Sequence, residues 1–344
     1  MWRPISTRWT RPAPLAALAL ALSACEGPQS ALSTGGPVAA AQAFLGHVMY
    51  AGAAAVLVLV MGLTAYAMLA PPGARAWLGR RQIIVWGGVT FPILTLSVLL
   101  VYGLWLTREA QWSEAGRIAP ASASDGTLRI EVVGEQFWWR VRYLGEAGEL
   151  VFETANEIRI PTGRPVALSL SSADVLHSFW VPSLGGKLDM IPGRITTLTF
   201  SADREGVYRG QCAEYCGAQH ARMAFHTVAV APERFSAWMA GQSSPAPEPR
   251  DAFLSRGLEV FLSSGCGTCH TIRGTAAAGT SGPDLTGLGG RTSLAAGTFP
   301  NNAGTIAGWI ASSQHLKPGN LMPSFDALTG PDLRAVAAYL ESLE

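Results

Sequence analysis

The sequence predicts a multidomain protein. A two-helix transmembrane hairpin comes first, then an all-β sandwich, then a smaller C-terminal part beyond a Ser/Pro-rich linker. Three observations carry this. The apolar runs at 44–70 and 83–106 each exceed the roughly 20 residues that a bilayer crossing needs. Short alternating runs broken by glycine and proline fill 127–230. The closing stretch "GPDLRAVAAYLESL" puts Leu333, Val336, Ala337 and Leu340 on one helical face. A chain of 344 residues has room for several such parts, and its formal net charge of +1 points to no nucleic-acid partner.

Residues 1–24 read as an export signal. Arg3, Arg8 and Arg11 precede the apolar "PLAALALALSA". The stretch "LSAC" resembles a bacterial lipoprotein cleavage box, which implies that Cys25 becomes a lipidated N-terminus. Residues 25–120 form the hairpin. Its loop, "PPGARAWLGRRQ", carries Arg75, Arg80 and Arg81 and no acid. The positive-inside rule puts that loop in the cytoplasm and both flanks outside, as a lipidated Cys25 also requires.

Residues 121–238 form the sandwich, with "LRIEVVGEQFWWRVRYL", "EIRIPTGRPVALSLSS", "ITTLTFSA" and "RMAFHTVAVA" as strand material. Between two strands lies "GQCAEYCGAQHARMAF", in which Cys212, Cys216, His220 and Met223 fall within twelve positions. His177 stands upstream in "DVLHSFWVPSLGGKLDMIPGR". A disulfide would explain neither His220 nor Met223, and a closed zinc site has no use for a thioether. Thiolate, imidazole and thioether together suit copper, and two thiolates can bridge two copper ions.

This loop and its partner stretch resemble subunit II of cytochrome c oxidase, whose cupredoxin-like domain holds the dinuclear copper centre CuA. The resemblance implies that Cys212 and Cys216 bridge the coppers and that His177 and His220 are terminal ligands. Met223 and the backbone carbonyl of Glu214 would be weak ligands. The Glu214 side chain would reach a magnesium ion shared with subunit I. The family's aromatic run is matched by "GEQFWWRVRY". It puts Phe137 at the electron port, where the family usually carries tryptophan, with Trp139 beside it.

The stretch 239–250, "MAGQSSPAPEPR", reads as a linker. In 251–344, Cys266, Cys269 and His270 make the C-x-x-C-H pattern of covalent haem attachment. With "GPDLTGLGGR" and "GNLMPSF", this part resembles an all-α class I cytochrome c. His270 and Met322 would be the axial ligands, and the Pro283 carbonyl would orient His270. His315 is the competing ligand.

The whole resemblance, from about residue 40 onward, implies an oxidase subunit II with a fused cytochrome c. Electrons from a donor cytochrome c or a quinol–cytochrome c reductase would pass through haem c and CuA to haem a of subunit I. There O2 would be reduced with proton translocation. A membrane-tethered carrier with no oxidase partner, or the input subunit of another haem–copper enzyme, is the alternative. A short flexible linker would hold the domains at an effective concentration of about millimolar.

Overall fold

The computed structural model describes residues 27, 29–115 and 126–344. The expected signal 1–24 and Cys25 lie outside the described residues.

Helix α1 spans Pro37–Leu69. Proline is tolerated in its first turn, where the missing N–H has no intrahelical partner, and the helix stops one residue before the Pro71–Pro72 pair. The second helix, α2, is continuous through Arg81–Val85, one π-helical turn at Trp86–Thr90, and Phe91–Ala115. Both helices are long and apolar enough to cross a membrane, over Pro37–Leu69 and Arg81–Leu106. Val58 and Leu100 are typical of their outward-facing side chains, which are more than half exposed on this chain. The start of α1 is held differently. Ala39 and Ala43 are buried. Just before them, Gly35 N donates to Ser183 O (2.7 Å) and Gly35 O accepts from Asp203 N (2.8 Å).

The β domain is a sandwich of two five-stranded sheets. One has the order β3-β2-β1-β5-β8, from Leu150–Ala155, Trp138–Leu144, Leu128–Glu135, Val166–Ser172 and Thr196–Phe200. The other is β4-β10-β9-β6-β7, from Glu157–Pro161, Ala224–Val230, Gly206–Cys212, His177–Trp180 and Leu188–Met190. Strand β1 alternates buried and half-buried residues along its length, as a strand with one covered face must. The run "EIRIPTGRPVALSLSS" yields strands of different sheets, β4 and β5. Gly163 (φ 71°) makes the turn between them. Ile130, Tyr143, Leu168, Phe179 and Phe225 fill the space between the sheets. The Tyr143 hydroxyl closes that core by bonding both the N–H and the carbonyl of Arg159 (2.7 and 2.8 Å).

Residues 239–242, expected in the linker, are instead the last turn of helix α3, Pro232–Gln242. The remainder is not a free tether. Ala246 N donates to Arg273 O (2.8 Å), and Arg273 Nη2 donates to the carbonyl of Gln242 (2.5 Å). Such bonds fix a segment that its composition alone would leave flexible.

The C-terminal domain is helical: α4 is Ala252–Ser263, α5 is Ala303–Leu316 and α6 is Gly330–Glu341. Asp251, Asn302 and Thr329 cap them, each accepting from a backbone N–H of the first turn. Phe261, Ile306, Ile310, Val336 and Leu340 form its core. Gly257 leaves no room for a Cβ between α4 and the Ala335 carbonyl, which lets α6 pack close.

Candidate functional site

Two donor sets come together in space, one in each of the two domains. The first lies at one end of the sandwich. Strand β9 ends on Cys212, whose N–H donates to Met223 O (2.9 Å), while Ala213 N donates to Ser178 O (2.9 Å). The first bond ties the two ends of the loop together, and the second fastens the loop to β6, which opens on His177.

Within the loop the sulfurs of Cys212 and Cys216 are 3.8 Å apart. His177 Nδ1 is 3.8 Å from the Cys212 sulfur, and His220 Nδ1 is 3.7 Å from the Cys216 sulfur. Met223 Sδ is 3.7 Å from the Cys216 sulfur, and the Glu214 carbonyl is 3.1 Å from that of Cys212. Both thiols are free and buried. A buried cluster of two unbridged thiols, two imidazole nitrogens, a thioether and a carbonyl fits copper in its donor chemistry.

The close packing of the donors shifts their proton affinities in opposite directions. Hydrogen bonding to Cys216 is the largest influence that pulls the Cys212 thiol down, to about 3, with His177 adding to it. Cys216 is pushed up, first by the hydrogen bond to Cys212 and then by burial. Burial pulls His177 down, but its bonds to Cys212 and Asp174 outweigh this and leave it raised. Asp174 Oδ1 lies 2.8 Å from His177 Nε2, so Nδ1 is the nitrogen turned to the sulfurs. A Cβ on Gly134 would lie 2.8 Å from His177 Cδ2, so only glycine lets β1 pass behind the ring.

The second set lines a pocket in the helical domain. Cys266 and Cys269 flank a short 3-10 turn after α4, and Gly265 (φ 80°) reverses the chain into it. Both thiols are free. His270 Nδ1 donates to Pro283 O (2.8 Å), which leaves Nε2 free to bind a metal. Cys266, Cys269, His270 and Met322 all line this pocket, whereas His315 lines a separate cleft beside Arg209 and Arg222. Met322 is held by its backbone: its N–H donates to Asn320 Oδ1 (2.8 Å) and its carbonyl accepts from Ser313 Oγ (2.8 Å). Arg291 also lines the pocket, and its buried Nε has no hydrogen-bond partner. An apolar pocket with two thiols, a free imidazole nitrogen, a thioether and an orphaned guanidinium N–H fits a covalent haem with acidic side groups.

The pocket also takes part of its wall from the sandwich. Gln136, Phe137 and Trp138 line it from the turn between β1 and β2. Phe137 therefore sits where the two domains meet. Trp139, expected beside it, is fully buried on the other side of the strand. Its ring centre is 6.2 Å from that of His177 and 5.0 Å from that of Phe225. Trp138 takes the place facing the pocket, because successive strand residues point to opposite faces. Asp174, Gln136, Trp138 and Lys317 were not legible as site residues. Strand alternation in "FWW" could have separated Trp138 from Trp139; the others act only through contacts distant in sequence.

Fold and donor sets together define a membrane-anchored chain of two redox domains, one a sandwich and one helical. Residues 143–230 match the family "Cytochrome C oxidase subunit II, periplasmic domain", and 254–344 match "Cytochrome c". The cytochrome c oxidase subunit 2 of Alkalihalophilus pseudofirmus is 37% identical over 261 residues, covering 76% of this chain and 72% of that one. That of Bacillus subtilis is 29% identical over 275 residues, covering 76% and 74%. The periplasmic domain of subunit II of cytochrome oxidase of Bradyrhizobium japonicum is 30% identical, covering 33% of this chain and 92% of that one, with a TM-score of 0.32. The chain belongs to the cytochrome c oxidase subunit 2 family and carries a fused cytochrome c domain. It is thus a membrane-bound oxidase component that associates with other oxidase subunits, and its two domains imply copper and haem.

Proposed function

We propose that this chain is the electron-input subunit of a bacterial haem–copper oxidase. Electrons from a donor cytochrome c, or from a quinol–cytochrome c reductase, would enter haem c, pass to CuA, and leave for haem a of subunit I. There O2 is reduced to water with proton translocation. The observation that supports this best is the position of Gln136. It lines the pocket of the helical domain, and its Nε2 donates to the carbonyl of Cys216 at 2.6 Å. One side chain thus touches both candidate sites.

Bound there, the two groups supply one-electron carriers whose potentials the surrounding ligands and burial tune. The residues do the rest. Cys212, Cys216, His177 and His220 would hold two coppers, with Met223 and the Glu214 carbonyl as further donors. The Glu214 carboxylate would help hold a magnesium ion shared with subunit I. Cys266 and Cys269 would hold the haem covalently, and His270 and Met322 would bind its iron. Phe137 is the port between the domains, while Trp139 buttresses His177. Asp174 and Pro283 each fix the imidazole next to them, so that a single nitrogen of each ring is presented. The hairpin crosses the cell membrane twice, with Arg75, Arg80 and Arg81 inside and both exported domains on the outer side. Cys25 adds a lipid anchor.

Purification of the tagged chain from native membranes tests this reading. Co-purifying haem a, cyanide-sensitive oxygen uptake, and two coppers with one haem c per chain are expected. One copper per chain, zinc in its place, or a chain that comes away with no oxidase partner would overturn it.

A further inference from the structure

The helical domain is seated on the sandwich, and one side chain reaches across the join more deeply than its neighbours. Lys317, the C-cap residue of α5, is only 2% exposed. Its Nζ donates to three backbone carbonyls: Phe137 O at 2.9 Å, Arg222 O at 2.9 Å and Ala295 O at 3.1 Å. Phe137 and Arg222 belong to the sandwich, and Ala295 to the helical domain. An ammonium group has three N–H bonds, and each finds an acceptor.

The residues around it tighten the same join. Arg222 Nη1 donates to Leu316 O (2.6 Å) and Gln219 Nε2 donates to Pro318 O (2.9 Å). Residues 316–318 are therefore clasped from both sides by the turn that carries His220. Burying an ammonium is costly unless its acceptors are in place, so the contact exists only while three separate segments stay in register. Those segments are the Phe137 turn, the end of the sulfur-bearing loop, and the turn between β11 (Ser293–Leu294) and β12 (Phe299–Pro300). Burial pushes the Lys317 ammonium down, to about 7. Three converging carbonyl oxygens act against that and favour the charged form.

We propose that Lys317 is a positioning residue for electron transfer between the two cofactor sites. Its ammonium registers the haem pocket on the Phe137 turn and the copper loop, within a join that Thr292 N to Glu157 Oε2 (2.7 Å) and Ala224 N to Ala296 O (3.0 Å) also hold. The inference rests on the two-cofactor reading above. It differs from that reading in asking how the sites are held rather than what they hold.

The test uses the full chain in detergent, loaded with copper and haem, with a protease site inserted between Pro247 and Glu248. In the unaltered sequence the cut halves should co-elute, and photoreduced haem should pass its electron to copper at the uncut rate. In Lys317→Met the cut halves should come apart at lower urea than in the unaltered sequence, and the transfer should slow at least about tenfold, as expected when reacting groups lose a fixed geometry. The haem band and the copper hyperfine pattern should stay unchanged. Where Lys317→Met fails to attach haem, Lys317→Arg is read instead, since a guanidinium cannot bring three N–H bonds to one point. Separation of the cut Lys317 variant at the same urea as the unaltered chain, with an unaltered transfer rate, overturns the proposal, as does separation of the cut unaltered chain without urea. A chain that binds no copper would instead overturn the two-cofactor reading, and elution of the cut halves would still report on Lys317.

Discussion

Gln136 Nε2 donates to the Cys216 carbonyl at 2.6 Å, joining the turn that walls the pocket of the helical domain to the sulfur-bearing loop of the sandwich. A buried neutral hydrogen bond contributes about 1 kcal/mol net, so Gln136→Ala should lower stability by roughly that amount. Because the same side chain also lines the pocket of the helical domain, transfer between haem and copper should also slow. Urea unfolding and photoreduction kinetics on the loaded chain check the two effects separately. Unchanged kinetics would confine Gln136 to a structural role.

Asp174 fixes the His177 ring through Nε2. Asp174→Ala should weaken copper binding on the order of 10–100-fold, the usual cost of removing a carboxylate behind a ligating histidine. Competition against a copper chelator measures it. Equal retention in variant and parent would remove Asp174 from the site.

Gly134→Ala would set a Cβ 2.8 Å from His177 Cδ2, a contact that cannot stand. The ring must move, so the copper hyperfine pattern should change while the far-ultraviolet circular dichroism of the sandwich stays the same. An unchanged copper spectrum would mean that β1 yields instead of the histidine.

Met322→Ala should leave haem attached through Cys266 and Cys269 but lower its midpoint potential, because thioether ligation raises it. Redox titration of the haem band reads this directly. A variant titrating at the parent potential would take Met322 out of the axial role.

His226 sits at the join of the domains, with Nδ1 3.1 Å from both Ser293 Oγ and Thr292 Oγ1. Its pKa is held below 6.5 mainly by burial. The folded chain then binds the proton less tightly than the unfolded chain. The contribution of His226 to stability is fully present above about pH 6.5 and is lost as pH falls through the folded value. The slope from this one group is at most about 1.4 kcal/mol per pH unit. Urea unfolding between pH 5 and 8 should show the decline, and His226→Gln should flatten it; a parallel curve for the variant would assign the decline elsewhere.

The parts of the site written in short stretches were legible from sequence. Cys212, Cys216, His220 and Met223 share one loop, and Cys266, Cys269 and His270 share one turn, so spacing alone exposes their chemistry. His177 and Met322 stand apart from those stretches in sequence, and the fold brings His177 beside the Cys212 sulfur and Met322 into the pocket that His270 lines. The join between domains was not legible. Lys317 is a single lysine between Leu316 and Pro318, and its three carbonyl acceptors lie 22, 95 and 180 residues away. The linker misled for a related reason. Proline and serine suggest a loose strand, but Arg273 and Gln242 tie it down through backbone atoms that composition does not reveal.

The grip of the sandwich on the outer end of α1 has a mechanical meaning. With Gly35 paired to Ser183 and Asp203, and Ala39 and Ala43 packed away, the first turns of this helix are seated on the sandwich. The sandwich stands on its first long apolar helix like a mast stepped in its keel. Its sulfur-bearing loop is therefore kept at a set distance from that helix, so whatever grips the helix also sets the height of the loop.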